Sequence, residues 1–117
     1  MSYIDGFVAA VPTAKKQDYI AFCKLMGQVM KDCGAQQVVD CWGDDVPEGK
    51  VTSFPMAVKA EKDETVCFGW VIWPDKPTRD AGMEQMMKDP RCAPDQNPMP
   101  FDGMRMIFGG FEPLSGL

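Results

Sequence analysis

The sequence predicts an α+β fold, a ferredoxin-like βαββαβ sandwich with a four-stranded antiparallel sheet and two helices on one face. Three observations carry this expectation. Apolar residues recur at spacings of three and four from Tyr19 to Cys33, which marks one helical stripe. Thr65 to Trp73 alternates like a strand, with Val66, Phe68, Trp70 and Ile72 on one side and Cys67, Gly69, Val71 and Trp73 on the other. Read in order, the segments run strand, helix, strand, strand, helix, strand. The 117 residues suffice for one such domain, residues 1–117, without repeats or a linker.

Tyr3 to Val11 is the first predicted strand, apolar at almost every position and ended by Pro12. Thr13 is placed to cap the helix that follows, since its hydroxyl can accept from a free amide of the first turn. The stripe Tyr19, Phe22, Cys23, Met26, Val29, Met30 and Cys33 then runs to Gly34, where a left-handed residue closes a helix. Val38 to Trp42 is the second strand, and Asp44 to Lys50 is rich in turn formers. Val51 to Ala60 reads two ways: Ser53 with Pro55 opens a short helix, or the segment is an irregular edge. After the third strand, Asp75 and Pro77 open a second helix with Met83, Met86 and Met87 as its apolar side, stopped at Asp89-Pro90. Residues 90–104 form a long loop, and Met106 to Phe111 is the last strand.

Composition excludes several chemistries. The net charge is −5, so a phosphate-holding basic face is not expected, and nucleic acid is not an expected partner. There is no histidine, which removes the usual proton shuttle near neutral pH and every serine–histidine or cysteine–histidine mechanism. The five cysteines form no C-x-x-C pair; Cys23, Cys41 and Cys67 fall in apolar periodic segments and are expected to be reduced and buried. No apolar run approaches the roughly 20 residues that span a bilayer. The N-terminus lacks a basic stretch followed by an apolar one, so a cytoplasmic protein is expected, with no membrane partner. No cofactor and no metal are expected: G-x-G-x-x-G and P-loop patterns are absent, Asp44-Asp45 is a common two-acid turn, and the ten methionines fit flexible core packing. A metallochaperone of this topology needs a C-x-x-C loop where this chain has Pro12-Thr13-Ala14, and an RNA-recognition motif needs basic residues beside the aromatics of the third strand.

Two helices cover one face of a four-stranded sheet, and the other face is polar when it meets water. Here both sides of the strands are apolar. Assigning the small residues Gly6, Cys67 and Gly69 to the helix-packed side leaves the large ones, Phe7, Trp42, Phe68 and Trp70, on the other. Four large aromatics exceed what a soluble monomer exposes, so the expected cover is a second copy, sheet to sheet, in a twofold dimer.

The segments Tyr3 to Val8, Gly43 to Pro55 and Pro100 to Phe111 resemble the YbaA-like family of small bacterial proteins. The resemblance covers nearly the whole chain and implies the dimeric α+β barrel superfamily. That superfamily includes cofactor-free monooxygenases, isomerases, haem-degrading enzymes and ligand-binding domains without catalysis.

The expected site lies in the dimer cavity. Phe7, Trp42, Phe68 and Trp70 line it as ligand-binding residues, and Asp5, Asp40 and Arg105 are its polar groups and candidate catalytic residues. A carboxylate among aromatics is shifted toward its protonated form and can exchange a proton. Equally, Asp5 and Asp40 can be partly wet strand-end groups that bridge to Arg105 or to a backbone amide. Residues 90–104 are long enough to close over such a cavity. Two functions remain open: a small-molecule-binding or interaction module, or a cofactor-free enzyme acting on a small organic substrate.

Overall fold

Two ten-residue strands form the centre of the sheet. β1 (Tyr3–Pro12) and β3 (Glu64–Trp73) run antiparallel and pair along their whole length, from Tyr3↔Trp73 to Pro12↔Glu64. β2 (Gln37–Trp42) flanks β3 and β4 (Ile107–Phe111) flanks β1, giving the order β2-β3-β1-β4 with every neighbour antiparallel. The remaining elements are α1 (Lys16–Asp32), the short α2 (Phe54–Ala57) and α3 (Lys76–Met87). The computed structural model describes residues 1–117, and its α+β architecture is the one that the order of elements predicts.

Local signals explain most boundaries. Gly34 sits at φ 115°, so the left-handed residue closes α1 as its sequence position suggests. The Asp75 side chain accepts from the Thr78 amide at 2.7 Å and starts α3. The Ser53 hydroxyl accepts from the Met56 amide at 3.1 Å, which settles the ambiguous segment as a short helix. Two expectations are corrected. Thr13 does not cap α1: its hydroxyl lies 2.7 Å from that of Thr65 on β3, and the chain enters the helix through a 3-10 turn, Thr13–Lys15. Met87 lies 86 % exposed rather than on the buried side of α3.

Residues opposite one another on antiparallel strands share a face. Asp5, Phe7, Ala9 and Val11 therefore share a face with Cys67, Gly69, Val71 and Trp73, and with Val38, Asp40 and Trp42. α1 and α3 pack here: Tyr19 meets Ala9, Val11 and Cys67, and Met30 and Met83 meet Val71 and Trp73. Val8, Ala10, Val66, Phe68, Trp70, Cys41, Ile107 and Phe111 form the other face. The chain covers one end of this second face itself. The β2–β3 connection folds back so that Val58, fully buried, packs on Val8, Ala10 and Val66. Beyond it Phe54, Phe68, Ile107 and Phe111 stay 42–60 % exposed.

The expected common face for Asp5, Phe7, Asp40, Trp42, Phe68 and Trp70 is thus corrected. The first four lie on the helix-packed side, and Phe68 and Trp70 lie on the open side. The reason is the register Phe7↔Gly69: a Cβ at Gly69 would collide with the Phe7 ring, so the ring fills the space the glycine leaves. Large and small residues complement one another within a face, across neighbouring strands, rather than being sorted between faces. The 90–104 segment is also placed differently from a cavity lid. It is tied to α1 by Arg91, which reaches Asp32 at 2.9 Å, and by Phe101, whose ring stands edge-on to Tyr19 and Phe22 at 5.7 and 6.0 Å.

Candidate functional site

Of the polar residues expected in the site, Asp5 and Arg105 are engaged elsewhere. Asp5 is 8 % exposed and both of its oxygens are taken. The Trp73 indole donates to Oδ2 at 2.9 Å, Arg79 Nε to the same oxygen at 3.1 Å, and an Arg79 terminal nitrogen to Oδ1 at 2.8 Å. Arg79 also lies over the Tyr3 ring, 5.3 Å from its centroid. Arg105 is in a 3-10 turn, Gly103–Arg105, ahead of β4. It donates twice to Glu64 at 2.7 Å, to Asp102 at 3.0 Å and to the Lys59 carbonyl at 2.8 Å. Arg105 therefore pairs with neither Asp5 nor Asp40. Both arrangements close a fold contact with a forked guanidinium. Arg79 and Glu64 carry no mark in the sequence that separates them from surface charges.

Asp40 and Trp42 stay together, two residues apart on the helix side of the edge strand β2. They face α1 across a groove of about 550 Å³. The size lies within the usual range for small-molecule sites, roughly 300–1,000 Å³. The helix side of the groove repeats at helical spacing: Lys16, Tyr19, Ile20, Cys23, Lys24, Gly27, Gln28 and Lys31. At Gly27 the helix comes near β2: a Cβ there would be in ordinary van der Waals contact with the Val38 side chain, at 3.6 Å. Tyr19 and Trp42 form the apolar end, with ring centroids 6.2 Å apart, and the Lys16 ammonium lies 5.3 Å from the Trp42 ring centroid. The signal for the three lysines in the sequence is their spacing of eight and seven residues, which places them on one side of the helix.

Desolvation beside α1 raises the Asp40 carboxyl above its ordinary value, an effect that the neighbouring Cys23 thiol partly offsets, although the residue as a whole is exposed. Burial pushes the Cys23 thiol up to about 12 and the Cys67 thiol up to about 11, and it raises the Tyr19 hydroxyl as well. The raised values disfavour the thiolate and phenolate forms that would act as nucleophiles. Asp40 is the one acidic side chain that lines the groove. A smaller recess of about 330 Å³ lies at the β2–β3 connection, with Asp44, Glu48, Glu61 and Glu64 among its lining residues. No three acidic or thiol side chains gather there, or elsewhere, in a metal-holding arrangement.

A family model described as "Protein of unknown function (DUF1428)" matches residues 2–103. The chain belongs to the DUF1428 family. It is 51 % identical over 114 residues to "Uncharacterized protein YbaA" of Escherichia coli (strain K12), covering 97 % of each chain. The proteins of the same name in Escherichia coli O157:H7 and Shigella flexneri match to the same extent. The YbaA-like resemblance noted in the sequence is thereby established along nearly the whole chain. No helix of this DUF1428 protein is long and apolar enough to cross a membrane.

Proposed function

We propose that this chain is a small-molecule-binding protein that acts as a homodimer. The groove between α1 and β2 is the observation that carries it. It combines two aromatic rings, an aliphatic wall and a carboxylate in a volume suited to a metabolite, and no other segment of the chain fills it. The dimer rests on the opposite face of the sheet. Phe54, Phe68 and Trp70 form a continuous aromatic row with centroids 6.0 and 5.8 Å apart, and Phe111 and Ile107 extend it. A patch of this kind is rare on a soluble monomer, and a second identical face is its natural complement in a twofold pair.

A thermal-shift screen of metabolites tests the binding site. A true ligand at 100 times its dissociation constant stabilises by about 2.7 kcal/mol, and Trp42→Ala abolishes that shift while Trp70→Ala leaves it. Light scattering tests the dimer: the wild type gives twice 13.0 kDa at micromolar concentration, and Phe68→Glu gives the monomer mass. The two proposals lie on opposite faces, so each can fail alone. One feature favours catalysis as a second function, the carboxyl of Asp40 with its raised pKa in the groove, suited to accept a proton. Asp40→Asn that still binds ligand but loses turnover supports the enzyme; unchanged turnover removes Asp40 from it.

A further inference from the structure

Twelve cationic side chains serve a chain of net charge −5, and they divide sharply. Arg79, Arg91 and Arg105 are each paired to carboxylates, and Lys76 and Lys88 pair with acids one helical turn away. The other seven lysines have no ion pair. Three of these seven, Lys16, Lys24 and Lys31, line the α1–β2 groove, against one carboxylate, Asp40. The local charge is therefore opposite in sign to that of the whole molecule. At about 1.5 Å of rise per residue the three lysines stand about 12 and 10 Å apart along the helix, which spreads them along the length of the groove.

We propose that the groove binds a small organic anion, a carboxylate or phosphate on a flat apolar body, with Lys16, Lys24 and Lys31 as its charge contacts. This rests on the groove being the binding site. The apolar body lies at Trp42, where Lys16 already stands over the indole, so that a charge and a flat surface meet at one end. Asp40 accepts a hydrogen bond from a hydroxyl or amine of the ligand and disfavours a second anionic group on the β2 side of the groove. The three lysines are exposed, so each contributes a modest factor, about two- to fivefold. Selectivity for anions comes from their sum.

The test compares probes of one shape and different charge: naphthalene carboxylate, naphthalene carboxamide, naphthylmethylammonium and naphthyl phosphate. Binding is read from the Trp42 indole N–H signal in amide-correlation spectra of the full chain. The carboxylate is expected to bind at least fivefold more tightly than the amide, and the ammonium most weakly. In the Lys16→Ala/Lys24→Ala/Lys31→Ala variant the carboxylate falls to the affinity of the amide, and the amide is unchanged. In the wild type, salt raised to about 0.5 M weakens the carboxylate alone, a check that needs no variant. Tighter phosphate than carboxylate assigns a phosphorylated ligand, and the reverse a carboxylic one. Equal binding of amide and carboxylate at Trp42 overturns the anion and leaves the binding site standing. If no probe moves the Trp42 signal, the binding site falls and the anion with it.

Discussion

Removing Arg79 separates a structural role for Asp5 from a chemical one. In Arg79→Ala the Asp5 carboxylate keeps one of its three donors, the Trp73 indole at 2.9 Å. Breaking a fully buried pair costs about 3–5 kcal/mol, and losing an exposed one about 0–1 kcal/mol. The side chains of Arg79 and Asp5 are 23 % and 12 % exposed, nearer the buried case. With one donor retained, the expected loss is about 2–3 kcal/mol. For a domain of this length that lowers Tm by about 8–12 °C. Asp5→Ala is expected to cost a similar amount, because it orphans the Trp73 N–H, and the double variant less than the sum. Urea denaturation at fixed protein concentration measures all three, the fixed concentration holding any association constant. An Arg79→Ala protein within about 0.5 kcal/mol of wild type, or additive single effects, would refute the claim that this carboxylate is committed to the fold.

Two further outcomes follow from the geometry. The guanidinium of Arg105 holds Glu64, 5 % exposed, below its ordinary value of 4.5, so the pair stabilises above that value and the contribution fades as pH falls through the lowered pKa. Acid titration of stability in Glu64→Gln is expected to be flatter than wild type below about pH 4.5, and parallel curves would contradict this. Gly69→Ala puts a methyl into the Phe7 ring and 2.7 Å from the Val39 carbonyl. It is expected to cost at least about 1–3 kcal/mol in chemical denaturation, and a neutral result would mean that Phe7 does not lie on β3 as described.

The parts of the fold that were legible in the sequence are those whose causes are local. The α1 stripe, the closure at Gly34, the cap at Asp75 and the alternation of β3 each involve residues a few positions apart. Thr13 escaped because its hydroxyl has a partner 52 residues away, on the strand beside it. The site was less legible because both faces of the sheet are apolar. Alternation then says which residues of one strand go together, but not which set of the next strand they join. That phase is set by the register, and shifting it by one residue moves every side chain to the other face. The Phe7↔Gly69 match fits the observed register, and a large residue opposite a glycine is visible once the two strands are aligned, not before.

Charged residues posed the same problem in another form, since a sequence shows charges and not their partners. Asp5 and Arg79 are 74 residues apart, and Glu64 and Arg105 are 41 apart. Yet the outcome has a chemical order. A guanidinium offers a planar fork that satisfies two carboxylate oxygens at once and sheds water more readily than an ammonium does. All three arginines of this chain close such contacts, and the lysines with a partner find it one turn along their own helix. What is left for a ligand is an ammonium on a flexible stem, hydrated until something displaces the water. Three such lysines lie along the α1–β2 groove, and one of them, Lys16, stands over its Trp42 ring. That is why the proposed site follows from the lysines at 16, 24 and 31 better than from the acids and arginine of the strands and turns.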